Sequence, residues 1–591
     1  MPKYTLDWTK YTNTAIQAAQ EGAVLIKNSD NALPVVPGTK AALFGRMQTH
    51  YYKSGTGSGG MVNVEHVVDI FEGLNNSGII LDKNVIEAYK KWEETNPVDP
   101  GVGWGKERWS QDEMPLDDEL VAKAASENEA AIIVIARTAG EDRDNTADAG
   151  SYYLSESEEA MLSKVCGAFK RTIVLLNVGN IIDMSFVDKF NPAAVMYIWQ
   201  SGMIGGTAAA DLVSGKVSPS GCLTDTIANS LEDYPSSANF GNVDPMKDIY
   251  AEDIYVGYRY FSTFAPEKVK YPFGFGLSYT EFEFSNVDFS NDGFKVKVTA
   301  DVKNIGAVPG KKTVMLFASA PQGLLGKPAR VLVSFGKTEE LKPGESQKIE
   351  LTCDENRYSS YDDDGRTGNG TAWVLEAGKY EFYFGSNVSD AKLAGSFDLE
   401  NTTVLEKLES ACAPQESFDR LGIGGKYEPV PVRKVENFSI RERFIPEEIP
   451  QTGDVGIKLK DVIDGKNTMD EFVAQLTDED LALIIRGEGM SSPKVTTGTA
   501  GAFGGITKEL MSYGIPTLCC SDGPSGMRID SGKKAFSIPN GTCLASTFNE
   551  ALMEELFECF GMEMVSNGID TILGPGINIH RHPLNGRNFE Y

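Results

Sequence analysis

Four runs of apolar residues offer no wet face, and this narrows the fold more than any other feature of the chain. They are Ala41-Ala-Leu-Phe-Gly45, Ala131-Ile-Ile-Val-Ile-Ala136, Thr172-Ile-Val-Leu-Leu-Asn-Val178 and Ala193-Ala-Val-Met-Tyr-Ile-Trp199. A strand with one solvated face alternates apolar and polar residues; these do not, so each is expected to be covered on both faces. Between the second and third, Ser155-Glu-Ser-Glu158 has the spacing of a capping box. The helix it opens carries Met161, Leu162, Val165 and Phe169 on one stripe. Strand–helix–strand alternation over residues 1–235 predicts an open, mainly parallel α/β sheet with helices on both faces.

The texture changes further along. After a connecting segment, 236–280, the stretch Phe294-Lys-Val-Lys-Val-Thr-Ala-Asp-Val302 alternates with period two, as does Tyr380-Glu-Phe-Tyr-Phe384. Turn signals at Asn304-Ile-Gly306, Val308-Pro-Gly310 and Lys342-Pro-Gly344 divide residues 281–405 into short strands, the pattern of a β-sandwich. Residues 406–464 hold Pro414, Pro429, Pro431, Pro446 and Pro450 among many charges and predict an extended linker.

A second α/β pattern fills 465–591. Asn549 is the expected N-cap of a helix with Leu552, Leu556 and Phe560 on one side. A strand at 568–573 leads into Gly574-Pro-Gly576 and then Asn578, His580 and Arg581. Polar residues just past a strand's C-terminal end are where a (β/α)8 barrel carries its chemistry, but such a barrel needs about 250 residues. Residues 465–591 suffice for the N-terminal half only, so the chain is expected to be truncated within the barrel.

Composition excludes several roles. Lys and Arg total 55 against 84 Asp and Glu, a net charge of −29, which repels nucleic acid and anionic membrane surfaces. No apolar run is long enough to span a bilayer, and the N-terminus lacks a signal-peptide core; a cytoplasmic protein is expected. The eight Cys form no CxxC pair and there are four His, so no zinc site is expected and the thiols are read as reduced. His580 and His582, two apart, would face the same side of a strand and are read as structural.

Three places carry residues suited to chemistry. Glu141 follows the strand at 131–136 in a Gly-containing loop, at the edge of a parallel sheet where a carboxyl can protonate a leaving group; from the pattern alone a solvated acidic loop is the plainer reading. Counting from Asp142, a calcium loop fails, because position 6 is Ala147 and position 12 is Tyr153. Asp522-Gly-Pro-Ser-Gly-Met-Arg528 brings a carboxylate and a guanidinium to one tight turn, which suits either the hydroxyls of a polyol or a local ion pair. Arg587 in Gly586-Arg-Asn-Phe-Glu590 is either a ligand contact or a brace. Ser54-Gly-Thr-Gly-Ser-Gly-Gly60 lies ten residues past its strand and lacks GK[ST], so it predicts a loop rimming a site and not a phosphate cradle.

Taken together, Leu573-Gly-Pro-Gly-Ile-Asn-Ile-His-Arg-His-Pro-Leu584, Gly586-Arg-Asn-Phe-Glu-Tyr591 and the 522–528 turn resemble glycoside hydrolase family 3. The segments at 18–28, 140–143 and 199–202 resemble the family's α/β sandwich domain, and Tyr271-Pro-Phe-Gly-Phe-Gly-Leu-Ser-Tyr279 its entry into a fibronectin type III-like domain. The order, with the barrel last, resembles a permuted arrangement of the more common one. The resemblance implies an exo-acting retaining β-glycosidase: a β-glucosidase acting on cello-oligosaccharides or aryl and alkyl glucosides, or a β-xylosidase or broader β-glycosidase. It implies Glu141 as general acid/base, with a raised pKa, and Asp522, Arg528 and Arg587 as the glycone grip. It implies no metal or organic cofactor. The family's nucleophile, an Asp on a later barrel strand, is not present before Tyr591, so none is assigned. A non-catalytic carbohydrate-binding protein is the reading if Tyr591 is the true C-terminus. A homo-oligomer stays open, since the sandwich unit could serve a partner's barrel.

Overall fold

The computed structural model describes residues 5–102, 105–241, 246–410, 412–432 and 445–591. The first unit is a six-stranded sheet made of β1 (Val24–Asn28), β2 (Lys40–Phe44), β3 (Ile80–Leu81), β4 (Ala130–Ala136), β5 (Thr172–Asn177) and β6 (Ala194–Tyr197), in the order β1-β6-β5-β4-β2-β3. Only β1 runs antiparallel to its neighbour. Every residue of β4 and β5 is buried, as the unbroken apolar runs require. Alternate side chains divide between two cores. Ile133, Ile135, Val174 and Leu176 face one layer with Met161, Leu162 and Val165; Ile132, Val134, Ile173 and Leu175 face the other with Leu212 and Val213. Each such side chain contributes about 1.5–3 kcal/mol of burial. The Ser155 capping box forms as expected and starts the helix Glu156–Ala168.

The second unit is the expected β-sandwich. One sheet orders Ser346–Cys353, Lys295–Asn304 and Phe282–Asp292; the other orders Val331–Lys337, Thr313–Ser319, Gly378–Gly385 and Lys392–Leu399. Val296, Val298, Ala300 and Val302 point into the core between them, from the strand that alternates in sequence.

The segment 406–464 is more structured than an extended linker. Asp419–Leu421 pairs with Tyr427–Pro429, Leu421 N–H donates to Ala251 O at 2.6 Å, and Leu459–Ile463 is helical. Short-range turn geometry at Gly422–Gly425 outweighs the proline content there; residues 433–444 of the expected linker lie outside the described residues.

In 465–591 the sheet has three strands, with Thr517–Asp522 between Gly501–Gly504 and Thr571–Leu573. Thr517–Asp522 and Thr571–Leu573 are parallel and are joined through the long helix Glu550–Ser566, capped by Asn549 as expected. Gly501–Gly504 runs antiparallel to Thr517–Asp522, which a regular (β/α)8 barrel does not allow. Its chain returns to the next strand through one short helix, Lys508–Ser512.

The units interlock. Tyr11, Ala15, Ala18 and Ala19 of the first helix, Trp8–Gly22, share a core with Leu552, Leu556 and Phe560. Glu21, at the end of the same helix, accepts hydrogen bonds from Lys311 Nζ at 2.6 Å and Asn549 Nδ2 at 2.9 Å and pairs with Lys337 Nζ at 3.4 Å. One buried carboxylate thus ties all three units together. Among the described residues no helix is long and apolar enough to cross a membrane.

Candidate active site

The site forms where the loop after β4 meets the turn that precedes Tyr591. Backbone bonds fix the seam: Gly140 N–H donates to Gly586 O at 3.0 Å and Asn145 N–H to Leu584 O at 2.7 Å. The two segments approach so closely that a Cβ on Gly586 would lie 1.9 Å from Arg143 O. Glycine at 586 is therefore a steric requirement of the seam.

Glu141 projects from this seam toward the glycine-rich loop. Its Oε2 accepts from Ser58 N at 2.7 Å and Ser58 Oγ at 2.5 Å, and its Oε1 from Arg587 Nη1 at 3.3 Å. Arg587 Nε also donates to Glu590, whose side chain is almost wholly buried. The loop 54–60 thus lines the site, as expected. What its sequence did not reveal is that Ser58 grips the carboxylate directly. Its glycines are close-approach positions: a Cβ on Gly57 would lie 2.7 Å from Glu141 Oε2, and one on Gly59 2.0 Å from Glu590 Oε2. Phe589, fully buried, closes the floor beneath Gly55.

Asp522 ends the strand Thr517–Asp522, and Arg528 N–H returns to Asp522 O at 2.8 Å, closing the turn read from the sequence. The Arg528 guanidinium makes two bonds to Asp530, 2.9 and 3.2 Å long. Arg587 meets Glu141 directly, and the charges of Arg528 and Arg587 act on both Glu141 and Asp522.

The protonation of Glu141 departs from expectation. Burial pushes its carboxyl up, but the two bonds from Ser58, with the Arg587 and Arg528 charges, outweigh this and hold it below the ordinary Glu value. The resemblance implies a raised value; the shift is in the opposite direction. Ser58 supplies the largest pull against burial, while Arg143 nearby lies over the Trp109 ring at 4.0 Å. The other two carboxyls move upward: burial raises Asp522 against the pull of Arg528, and burial raises Glu590 against Arg587. The site therefore holds one carboxyl below its ordinary value beside two raised above theirs. Glu590 was missed in the sequence; its place three residues after Arg587, in reach of an i,i+3 pair on a helical turn, was the available signal.

The two histidines do not lie on a strand. His580 Nδ1 sits 3.1 Å from both oxygens of Asp225, and His582 stacks on Phe240 with ring centres 4.3 Å apart. Each braces a loop, and Arg581 between them bonds Asp248 and the buried Glu252. Among the described residues no group of three or more His, Cys, Asp or Glu is placed to hold a metal ion.

The profile of the glycosyl hydrolase family 3 C-terminal domain matches residues 23–279, and that of the fibronectin type III-like domain matches 312–388. Beta-glucosidase A of Butyrivibrio fibrisolvens is 35% identical over 660 residues, covering 98% of this chain and 76% of the relative. The chain belongs to glycoside hydrolase family 3. This family 3 chain is also 54% identical over 589 residues to a beta-glucosidase of Ruminococcus albus, covering 99% of the chain and 62% of the relative. Its fold matches a solved beta-glucosidase of Paenibacillus barengoltzii with a TM-score of 0.95 at 50% identity, covering 98% of this chain and 65% of that one. The beta-glucosidase 3B of Thermotoga neapolitana, solved in complex with glucose, matches at a TM-score of 0.62 and 33% identity, covering 67% of this chain and 55% of that one. The family 3 chain thus spans less than two thirds of the length of the Ruminococcus and Paenibacillus relatives.

Proposed function

We propose that this chain carries the acid/base and glycone-binding parts of an exo-acting retaining β-glucosidase. The observation that carries the reading is the single cluster of Glu141, Arg587 and Asp522, drawn from two separate units, in a family 3 chain. In the reading, Arg587, Arg528 and Asp522 hold the hydroxyls of a terminal β-D-glucose, as a mixed set of donors and acceptors suits a polyol. Glu141 protonates the leaving oxygen in the first step and accepts a proton from water in the second. The attacking carboxylate of that mechanism is assigned to none of the residues here.

The low pKa of Glu141 suits the second step, in which a carboxylate is the base. For the first step the carboxyl has to take up a proton, so the Ser58 bonds have to loosen when a glycoside enters. Residues 465–591 are taken as the first half of a (β/α)8 barrel, supported by the one parallel βαβ step; 1–235 and 281–405 are taken as the sandwich and fibronectin-like units. Eight unpaired thiols favour a reducing compartment, and hence a cytoplasmic enzyme that finishes the breakdown of cello-oligosaccharides.

In the native enzyme carrying this sequence, Glu141→Gln is expected to slow turnover of 4-nitrophenyl β-D-glucoside by about 10²–10⁴-fold, with azide restoring part of it. Unchanged turnover removes Glu141 from the mechanism.

A further inference from the structure

Lys53 stands at the base of the glycine-rich loop, and its backbone is fixed to the sheet. The side chain of Asn177, fully buried at the end of β5, accepts from Tyr52 N–H at 2.9 Å and donates to Tyr52 O at 3.0 Å. Gly202 N–H donates to Lys53 O at 2.9 Å. From this platform the side chain spans the loop, and Lys53 Nζ donates to Gly60 O at 3.0 Å.

The loop needs such a tie. Four of the seven residues from Ser54 to Gly60 are glycines, so the backbone gives up much conformational freedom when it is fixed. One limb is held by Thr56, whose N–H donates to Ala139 O at 2.7 Å. The other ends at Gly60, packed so closely on the first that a Cβ there would lie 1.9 Å from Gly55 O. Ser58 sits at the tip between Thr56 and Gly60, with its N–H and its hydroxyl both donating to Glu141 Oε2.

Lys53 is a costly tie. Burial pulls its ammonium down to about 8, and among the described residues no nearby carboxylate offsets this. Packing alone does not call for the charge. Gly60 O already accepts from Val62 N–H at 2.9 Å, so an apolar side chain at 53 would leave no acceptor orphaned. What the ammonium adds is a charge-assisted bond, stronger than a neutral one, at the point that closes the loop.

We propose that Lys53 is a positioning residue: its ammonium clasps the Gly60 carbonyl, closes the glycine-rich loop at its base and so holds Ser58 against Glu141. As a role in catalysis this rests on the acid/base reading of Glu141; the hold on Ser58 does not.

The test reads the Glu141 carboxyl by ¹³C NMR titration in Lys53→Met, Lys53→Arg, Ser58→Ala and the Lys53→Met/Ser58→Ala double variant, with denaturant midpoints alongside. Lys53→Met is expected to raise the Glu141 pKa, and Lys53→Arg, which keeps a cation and its donors, to leave it near the parent value. The rises from Lys53→Met and Ser58→Ala are expected to combine to less than their sum, since both loosen one grip. The midpoint of Lys53→Met is expected to hold or increase, because a desolvated charge is removed without orphaning its acceptor. A merely structural Lys53 would lower the midpoint and leave the Glu141 pKa alone. Should Lys53→Met lower the midpoint, Lys53→Gln, whose shorter side chain loses the reach, replaces it with the same expected rise. An unchanged Glu141 pKa, or rises that add in full as a through-space charge would make them, overturns the proposal. In the native enzyme the alkaline limb of kcat/KM for 4-nitrophenyl β-D-glucoside is expected to follow the carboxyl to higher pH. A limb that stays in place while the carboxyl moves overturns the acid/base reading and leaves the clasp standing.

Discussion

Ser58 and Glu141 are joined twice, the Ser58 N–H at 2.7 Å and its hydroxyl at 2.5 Å both donating to one carboxylate oxygen. Both bonds favour the ionised form, and together with the arginines they override the effect of burial. Removing the hydroxyl leaves the backbone bond but weakens this preference. Ser58→Ala is therefore expected to raise the Glu141 pKa, while Ser58→Thr keeps it near the parent value. A ¹³C carboxyl NMR titration, assigned with Glu141→Gln, reads this directly. In the native enzyme the alkaline limb of kcat/KM should move to higher pH. A limb that stays in place would show that the hydroxyl has no hold on the proton.

Gly57 has φ +84° and its missing Cβ would lie 2.6 Å from Glu141 Cβ. Gly57→Ala combines backbone strain with a collision and is expected to cost about 2–4 kcal/mol, with loss of glucose binding. Gly38 has φ +90° but nothing within 4 Å of its Cβ position, so Gly38→Ala should cost only the strain, about 1 kcal/mol. Denaturant unfolding of the pair separates strain from collision; equal losses would mean that the loop yields around Glu141.

Burial pushes the Glu21 carboxyl up, but Lys337 and Lys311 overcome this and hold it at about 2. Lys337, itself buried, is pushed down by burial in spite of the pair. Since the folded value of Glu21 lies below the unfolded one, its stabilisation is present above about pH 4.5 and is lost as pH falls toward 2. Lys337→Ala is expected to cost about 3–5 kcal/mol at pH 7 and clearly less at pH 3. Unfolding followed at both pH values checks it.

Glu113 behaves in the opposite sense. It is fully enclosed, accepts one bond from Arg46 N–H at 2.9 Å, and is pushed by burial up to about 8. Its folded value exceeds the unfolded one, so the stability it contributes is complete below about pH 4.5 and is lost as pH rises through 8. Glu113→Gln should therefore unfold at nearly the parent's denaturant midpoint at pH 5 but resist unfolding better at pH 9, by roughly 2–4 kcal/mol. Equal curves at pH 9 would place the carboxyl in water.

The sequence exposed those elements whose signal is local. The strands β4 and β5 are legible because burial on both faces removes polar residues from consecutive positions. The helices at 156 and 550 are legible because a cap and a stripe lie within one or two turns of each other. Strand β3 has two residues, too few for any pattern, and the reversed strand Gly501–Gly504 differs from a barrel strand only in the direction in which it pairs. The same divide runs through the site. Glu141, Asp522, Arg528 and Arg587 stand in compact motifs that carry a family resemblance. Ser58 acts on a residue 83 positions away, and nothing in Gly-Thr-Gly-Ser-Gly-Gly states which carboxylate it will meet.

Glu141 and Arg587 touch across 446 positions of chain. At ribosomal speeds of 5–20 residues per second, roughly 20–90 s pass between the synthesis of one and of the other. Throughout that interval the loops at 54–60 and 137–145 have no partner seam at 584–587 to lean on, and Arg587 is not yet there to face Glu141. The nascent α/β unit has to survive on its own sheet, exposed to proteases and chaperones, with the Glu141 carboxyl bonded to Ser58 but not yet to Arg587. A sheet that buries β4 and β5 on both faces before the rest of the protein exists is what makes such a wait tolerable.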